Sequence, residues 1–183
     1  MKKKLLTPDL FLGKIAEGTY VALKTLIETS YYSQVAFKNV STLNDKKNWL
    51  KEYCTIKMTC SRRSGHSTAI AKLIPEYFNR ALILAHTLDM TKRNLERFLQ
   101  MGEKDKYLNG EIIQKYTCNK IITESSEYIF SSINCLDKFR GEKFQAIVVD
   151  VACLVSKNEI EEIYDILGDC MNIYSEKFFI FIE

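Results

Sequence analysis

The sequence predicts an α/β fold of three layers, with a mainly parallel central sheet between helices and further helices at the N-terminus. Three observations lead there. Ala81-Leu82-Ile83-Leu84-Ala85 and Ala146-Ile147-Val148-Val149 are solid apolar runs of strand length, and Phe178-Phe179-Ile180-Phe181-Ile182 is a third. Strands apolar on both faces suit a sheet covered on both sides. Segments of helical period separate these runs, and alternation of strand and helix is the rhythm of parallel strands joined by crossovers. Only two prolines and seven glycines occur in 183 residues, which does not fit collagen, linkers or a turn-rich all-β sandwich.

The elements follow in order. Residues 7–31 read as a helix: Thr7 caps it, Pro8 lies in its first turn, and Leu10, Phe11, Ile15, Val21, Leu23 and Leu26 recur at roughly helical spacing. A second helix covers 44–52, with Trp49 and Leu50 turned inward. Then the period changes. Residues 54–60, Cys-Thr-Ile-Lys-Met-Thr-Cys, alternate apolar and polar and predict a strand. A polar turn over 61–65 leads to a helix over 67–78, with Pro75 late in it, where a proline bends a helix. A strand over 80–86 precedes a helix over 89–101 that closes at Gly102. A polar loop and a short helix are expected over 103–117, and strands at 120–123 and 127–132. The strongest buried-strand signal lies at 144–150, followed by a helix over 158–167 and a last strand over 177–182; the strands of 54–60 and 145–150 are expected to be neighbours in the sheet.

At about 100–200 residues per domain the chain is one unit, with residues 1–52 as an N-terminal helical segment packed on a core domain of 53–183. A chain of this length buries roughly 70% of its unfolded surface. Hydrophobic residues at 46% and charged residues at 27% exclude disorder as the main state. A net charge of +3 is too mild to argue for nucleic acid by itself. Six scattered cysteines with no CxxC pair, and two histidines, lack the ligand spacing of a zinc site, so no zinc is expected. The thiols read as reduced. Met1-Lys2-Lys3-Lys4-Leu5-Leu6 starts like a signal peptide, but Thr7-Pro8-Asp9 breaks the apolar run. No stretch approaches the roughly 18 apolar residues of a membrane span. The expectation is a cytoplasmic protein, in a host's cytoplasm if phage-encoded.

Function is carried by one segment. Strand 54–60 feeds Ser61-Arg62-Arg63-Ser64-Gly65-His66-Ser67-Thr68 and then a helix. A phosphate-binding loop needs this order, because backbone N–H groups and a helix N-terminus then converge on an anion. Against the pattern GxxxxGK[ST], Gly65 and Ser67 fit, whereas Cys60 stands at the first glycine and His66 at the lysine. An ordinary strand–turn–helix connection also accommodates this stretch. The second half of such a site is an apolar strand ending in an acid that holds Mg²⁺, and 146–149 followed by Asp150 supplies it. Phe139-Arg140-Gly141 forms a basic turn ahead of that strand.

These residues together (61–65 with Ser67-Thr68, then Leu82-Ile83-Leu84-Ala85-His86-Thr87, then Phe139-Arg140-Gly141 ahead of Ile147-Val148-Val149-Asp150) resemble the ATPase domain of phage large terminase subunits and, in outline, helicase-like P-loop ATPases. The resemblance covers roughly residues 50–183. It implies a RecA-like P-loop fold, ATP or ADP with Mg²⁺ as the ancestral ligand, and double-stranded DNA as the ancestral partner. On that reading Ser61, Arg62, Arg63, Ser64, Gly65, His66, Ser67 and Thr68 contact nucleotide, and Ser67 and Asp150 hold the metal. The departures are specific. The family's lysine reaches the β- and γ-phosphates; histidine is shorter and mostly neutral near pH 7. The family's glutamate after the aspartate orients water; here that position is Val151, and such a loss costs on the order of 10²–10⁴-fold in rate. The sequence given ends at Glu183, within the strand after which the family carries its coupling motif. The resulting expectation is a pseudo-ATPase that binds nucleotide weakly or not at all.

Each residue also has a plainer reading. Arg62 and Arg63 clamp phosphate or form a solvated pair on a turn. Asp150 holds metal or caps the next turn, and Ser67 ligates Mg²⁺ or serves as a helix N-cap. His86 reads as a strand end. Lys92, Arg93 and Arg97 form a basic stripe for DNA or a solvated face. Tyr20, Tyr31 and Tyr32 read as packing residues, and Glu159, Glu161 and Glu162 as an acidic first helical turn. Three functions compete. The first is a degenerate P-loop protein acting by binding, as an accessory or inhibitor with a protein partner in a DNA-processing or packaging machine. The second is an active ATPase with unusual residues, and the third an interaction protein with a vestigial, empty site.

Overall fold

Apolar runs this long bury both faces only inside a sheet flanked by helices, and the computed structural model has that form. It describes residues 8–36, 46–60, 64–101, 107–150, 154–171 and 176–182, the side chains of 8–15, 46 and 107 excepted. The elements are α1 (Pro8–Ala36), α2 (Lys46–Tyr53), β1 (Thr55–Met58), α3 (His66–Tyr77), β2 (Arg80–Ala85), α4 (Leu88–Met101), β3 (Tyr107–Leu108) and β4 (Glu111–Thr117), then β5 (Lys120–Thr123), β6 (Glu127–Ser132), β7 (Ala146–Asp150), α5 (Lys157–Leu167) and β8 (Phe178–Ile182). A 3-10 helix, Ile133–Phe139, follows β6. The strands form one sheet in the order β1-β8-β7-β2-β6-β5-β4-β3. The pairs from β1 to β6 are parallel, and β6 to β3 continue as an antiparallel meander.

Two apolar layers sandwich the parallel part. Ala81, Ile83, Val148, Ile180 and Ile182 face α1, α3 and α4 through Leu23, Ile27, Leu73, Leu95 and Phe98. Leu82, Leu84, Val149, Phe179 and Phe181 face α2, α5 and the 3-10 helix through Leu50, Leu136, Ile163 and Leu167. Alternation along each strand thus serves two cores. Burying side chains such as Leu23 and Ile27, each 1% exposed, contributes about 1.5–3 kcal/mol apiece before entropy is charged.

Helix α1 repays attention because its buried stripe is partly polar. Thr19, Leu23, Ile27, Ser30 and Gln34 are buried at helical spacing. Each polar member is bonded elsewhere: Thr19 Oγ1 donates to the Ser64 carbonyl (2.8 Å), Ser30 Oγ to the Tyr53 carbonyl (2.9 Å), and Gln34 Nε2 to the Lys177 carbonyl (2.7 Å). Gln34 Oε1 in turn accepts from Lys177 N. The apolar residues expected to face inward at Val21 and Leu26 are exposed instead, and so are Tyr31 and Tyr32. Tyr20 does pack against the core and donates its hydroxyl to Glu76. The capping role of Thr7 and the closure at Gly102 lie outside the described residues.

Two further expectations are corrected. The short helix placed within 103–117 is instead a β-hairpin over the described part, 107–117. Asn109 (φ 49°) and Gly110 (φ 81°) form its turn, the left-handed pair that joins tightly connected antiparallel strands. The strands of 54–60 and 145–150, expected to be neighbours, are separated by β8. The physical reason lies in composition. All five residues of β8 are buried, so it needs a strand on each side and a helix layer on each face; β1, with exposed Lys57, tolerates the edge.

Candidate nucleotide site

Parallel strands leave their carboxyl ends on one edge, where loops and helix N-termini gather. β1 ends there at Met58 and β7 at Asp150, and both pair in register with Ile182 of the intervening β8. One strand therefore sets the distance between the loop and the acid, about 10 Å at two strand spacings.

The loop enters α3 through Gly65, the N-cap residue, at φ 73° and ψ 18°. This left-handed conformation suits glycine, and space demands it as well: a Cβ on Gly65 would lie 2.5 Å from Ala16 Cβ of α1. With Thr19 bonded to the Ser64 carbonyl, α1 forms a floor under the loop. No side chain caps α3, so the dipole and free N–H groups of its first turn remain directed at the loop.

Four of the sequence-predicted residues meet here. Ser67 Oγ donates to Asp150 Oδ2 at 3.3 Å. His66 Nε2 lies 3.4 Å from Asp150 Oδ1, ion-pair distance for a protonated ring, and its Nδ1 is 3.2 Å from Ser64 Oγ. Asp150 is 3% exposed, and Oδ1 has no hydrogen-bond partner among the described residues. Thr68 is half-buried one position further along α3. Ser61, Arg62, Arg63 and Val151 lie outside the described residues. A buried carboxylate whose Oδ1 faces the His66 ring without a hydrogen bond fits a cation, and Ser67 beside it supplies the hydroxyl that such sites use for Mg²⁺. Among the described residues no cluster of three or more His, Cys, Asp or Glu could hold a metal by itself.

The remaining candidates separate from this centre. His86 follows β2, and its carbonyl accepts from Ser132 Oγ. Lys92, Arg93 and Arg97 are exposed on α4. Arg140 pairs with Asp137 at 2.8 Å on the surface. Glu159 closes a capping box with Ser156 at the start of α5, and its carboxyl is held below the usual range first by the Ser156 hydroxyl and then by the Ser156 backbone N–H. Glu161 binds Lys51 and Lys47. Sequence reasoning missed Ala16 and Thr19, which shape the loop from another helix. A buried threonine at stripe spacing with Leu23 and Ile27 was the available signal for Thr19.

A strand–loop–helix with a left-handed glycine, an acid on the next strand but one, and a spacer strand between define a helicase-like P-loop domain of RecA-like architecture. Residues 26–175 match the family described as type III restriction enzyme, res subunit, and the chain belongs to that family. Among solved structures, the large terminase of a thermophilic bacteriophage aligns with TM-score 0.49 and 13% identity over 75% of this chain and 37% of its own. The large terminase ATPase domain of Thermus phage P74-26 aligns with TM-score 0.45 and 15% identity over 76% and 64%. The thermophilic-phage terminase in complex with ADP gives 0.46 and 13% over 75% and 36%. The chain thus spans less than two thirds of these proteins' length. A search of curated proteins returned no match. No helix among the described residues is long and apolar enough to cross a membrane.

Proposed function

We propose that this domain binds the phosphates of ATP or ADP with Mg²⁺, does not hydrolyse them, and works as a binding component of a DNA-processing machine. The observation that carries this reading is the direction of His66. At the lysine position, the imidazole is turned onto Asp150 and Ser64, where it cannot serve as a fixed positive charge on a β- or γ-phosphate. The metal-holding pair is retained, since Ser67 and Asp150 remain in contact. Mg²⁺, when bound, would neutralise phosphate charge. The chain's own part is to present α3 N–H groups through Gly65, to orient Asp150 through Ser67, and to hold the loop against Ala16 and Thr19. Val151 supplies neither proton acceptor nor hydrogen bond to an attacking water, which is the second support for a hydrolysis-free role. Family membership supports DNA as the setting; an accessory or inhibitory partner protein is part of the same proposal.

Equilibrium titration with ADP and ATP, with and without Mg²⁺, is the test, alongside a turnover assay with DNA present. Mg²⁺-dependent binding with turnover at the buffer rate is expected, and Asp150→Asn should abolish the Mg²⁺ dependence. Turnover near the ~1 s⁻¹ low end of typical enzymes, lost in Asp150→Asn, would overturn the reading in favour of an active ATPase. No binding under any condition would favour a vestigial site used for contacts elsewhere.

A further inference from the structure

At the edge of the sheet opposite the phosphate loop lies a cavity of about 350 Å³, within the range of roughly 300–1,000 Å³ typical of small-molecule sites. It opens where the amino ends of β7 and β8 meet the last turn of α3 and the C-terminal part of α1. Aromatic rings form most of its wall: Tyr31 and Tyr32 from α1, Tyr77 and Phe78 from the end of α3, and Phe178 from the start of β8. The rings are tilted against one another and do not stack flat. Tyr31 and Tyr32 make 82° at 5.6 Å, Phe78 and Phe178 make 54° at 5.0 Å, and Tyr77 and Phe78 make 47°. Rings at such angles box a space that parallel stacking would close.

Charge settles the kind of ligand. Among the described residues Glu28 and Glu176 line the cavity, and no lysine or arginine does. Glu28 accepts a hydrogen bond from the Tyr77 hydroxyl at 2.8 Å; Glu176 makes no hydrogen bond or ion pair with another described residue. The nearby described lysines are engaged with other groups. Lys24 pairs with Glu76 at 3.6 Å and stands 5.9 Å over Tyr77, and Lys177 stands over Trp49. An anion would be repelled by the two carboxylates. A bare metal ion would lack the six or more oxygens it prefers. Aromatic faces with flanking carboxylates suit a weakly hydrated organic cation, attracted by ring quadrupoles and by charge.

We propose that this cavity binds a methylated ammonium group, either of a free small molecule or at the end of a peptide side chain. The site is independent of the nucleotide reading, since it shares no residue with the phosphate loop.

The test is calorimetric titration of the full chain with choline, against its uncharged isostere 3,3-dimethylbutan-1-ol, at fixed ionic strength. Choline should bind saturably and at least about tenfold more tightly than the isostere. Tyr32→Ala and Glu28→Gln should each weaken it on the order of tenfold, and Asp150→Asn should leave it unchanged. Tyr32 is 70% exposed, so its truncation does not threaten folding, and a melting curve checks this. A trimethyl-lysine peptide that binds more tightly than choline assigns the natural ligand to a partner's side chain; one that binds no better assigns it to a free cation. Equal affinity for choline and isostere, no saturable choline binding, or an unaltered Tyr32→Ala variant would each overturn the proposal.

Discussion

Substituting alanine for Gly65 should strain the backbone and drive α1 off the loop, and the size of the effect follows from the geometry. At φ 73° a non-glycine residue costs about 1–2 kcal/mol. The new methyl would lie 2.5 Å from Ala16 Cβ and 2.9 Å from Ala16 Cα. Neither is the end of a flexible side chain, so α1 must move, and overpacking of this kind costs about 1–3 kcal/mol. The total is about 2–5 kcal/mol. With a urea m-value of ~2 kcal/mol/M, the denaturation midpoint should fall by roughly 1–2.5 M. The two contributions separate in a double-mutant cycle with Ala16→Gly, which alone should cost about 1 kcal/mol of helix propensity. In that background Gly65→Ala should lose the Cβ–Cβ clash and keep the left-handed strain together with the 2.9 Å approach to the Cα of residue 16, giving a coupling of about 0.5–2 kcal/mol. A midpoint shift under ~0.3 M, or strict additivity, would refute the claim that α1 forms the floor of the loop.

Other outcomes are equally specific. His66→Lys should tighten nucleotide binding by roughly ten- to hundredfold, the worth of a charge-assisted contact of about 1.5–3 kcal/mol, with hydrolysis still absent until Val151→Glu is added; a single mutant no tighter than the parent by low-salt calorimetry means the loop is not phosphate-shaped. At pH 8 iodoacetamide should label exposed Cys118 and spare Cys54, whose thiol burial pushes up to about 12; mass spectrometry showing equal labelling of the two would contradict the packing under α2. The Glu111 carboxyl is held below its ordinary 4.5, chiefly by the Ser125 hydroxyl and then by Thr123. A depressed folded-state value means stability that is present above 4.5 and lost as pH falls through the lowered value. Glu111→Gln should therefore be less stable than the parent at neutral pH and converge with it on acidification, and parallel midpoint-versus-pH curves would contradict this.

The parallel core was legible because its strands announce themselves. Runs such as Leu82–Leu84 and Ile147–Val149 have no polar side, and only a two-faced sheet accommodates them. The pairing of Ser67 with Asp150 was legible through motif spacing alone, although strand order was not. Placing β8 between β1 and β7 required comparing whole strands, a fully apolar Phe178–Ile182 against Thr55–Met58 with its exposed lysine. The hairpin at 107–117 carried a readable turn in Asn109-Gly110, but Glu111–Thr117 has too little alternation to read as a strand beside it. On α1 the error was of another kind. Thr19, Ser30 and Gln34 interrupt the buried stripe and each satisfies a backbone group elsewhere, so apolar spacing alone pointed to Val21 and Leu26. Long-range hydrogen bonds of this sort leave no local trace.

The position of β8 also has a consequence in time. The strand that spaces Met58 from Asp150 is the last of the eight in chain order, and Gln34 must wait for Lys177, 143 residues later, to complete its pair of bonds. At a synthesis rate of about 5–20 residues per second, that wait is roughly 7–30 s. Through that interval a nascent chain holds the loop segment and later the acid, with nothing yet to hold them apart at working distance. On the proposed reading, ligand competence arrives in a single late step with closure of the sheet. A ribosome-stalled chain lacking residues 176–182 should carry every side chain proposed to face nucleotide and still have no site.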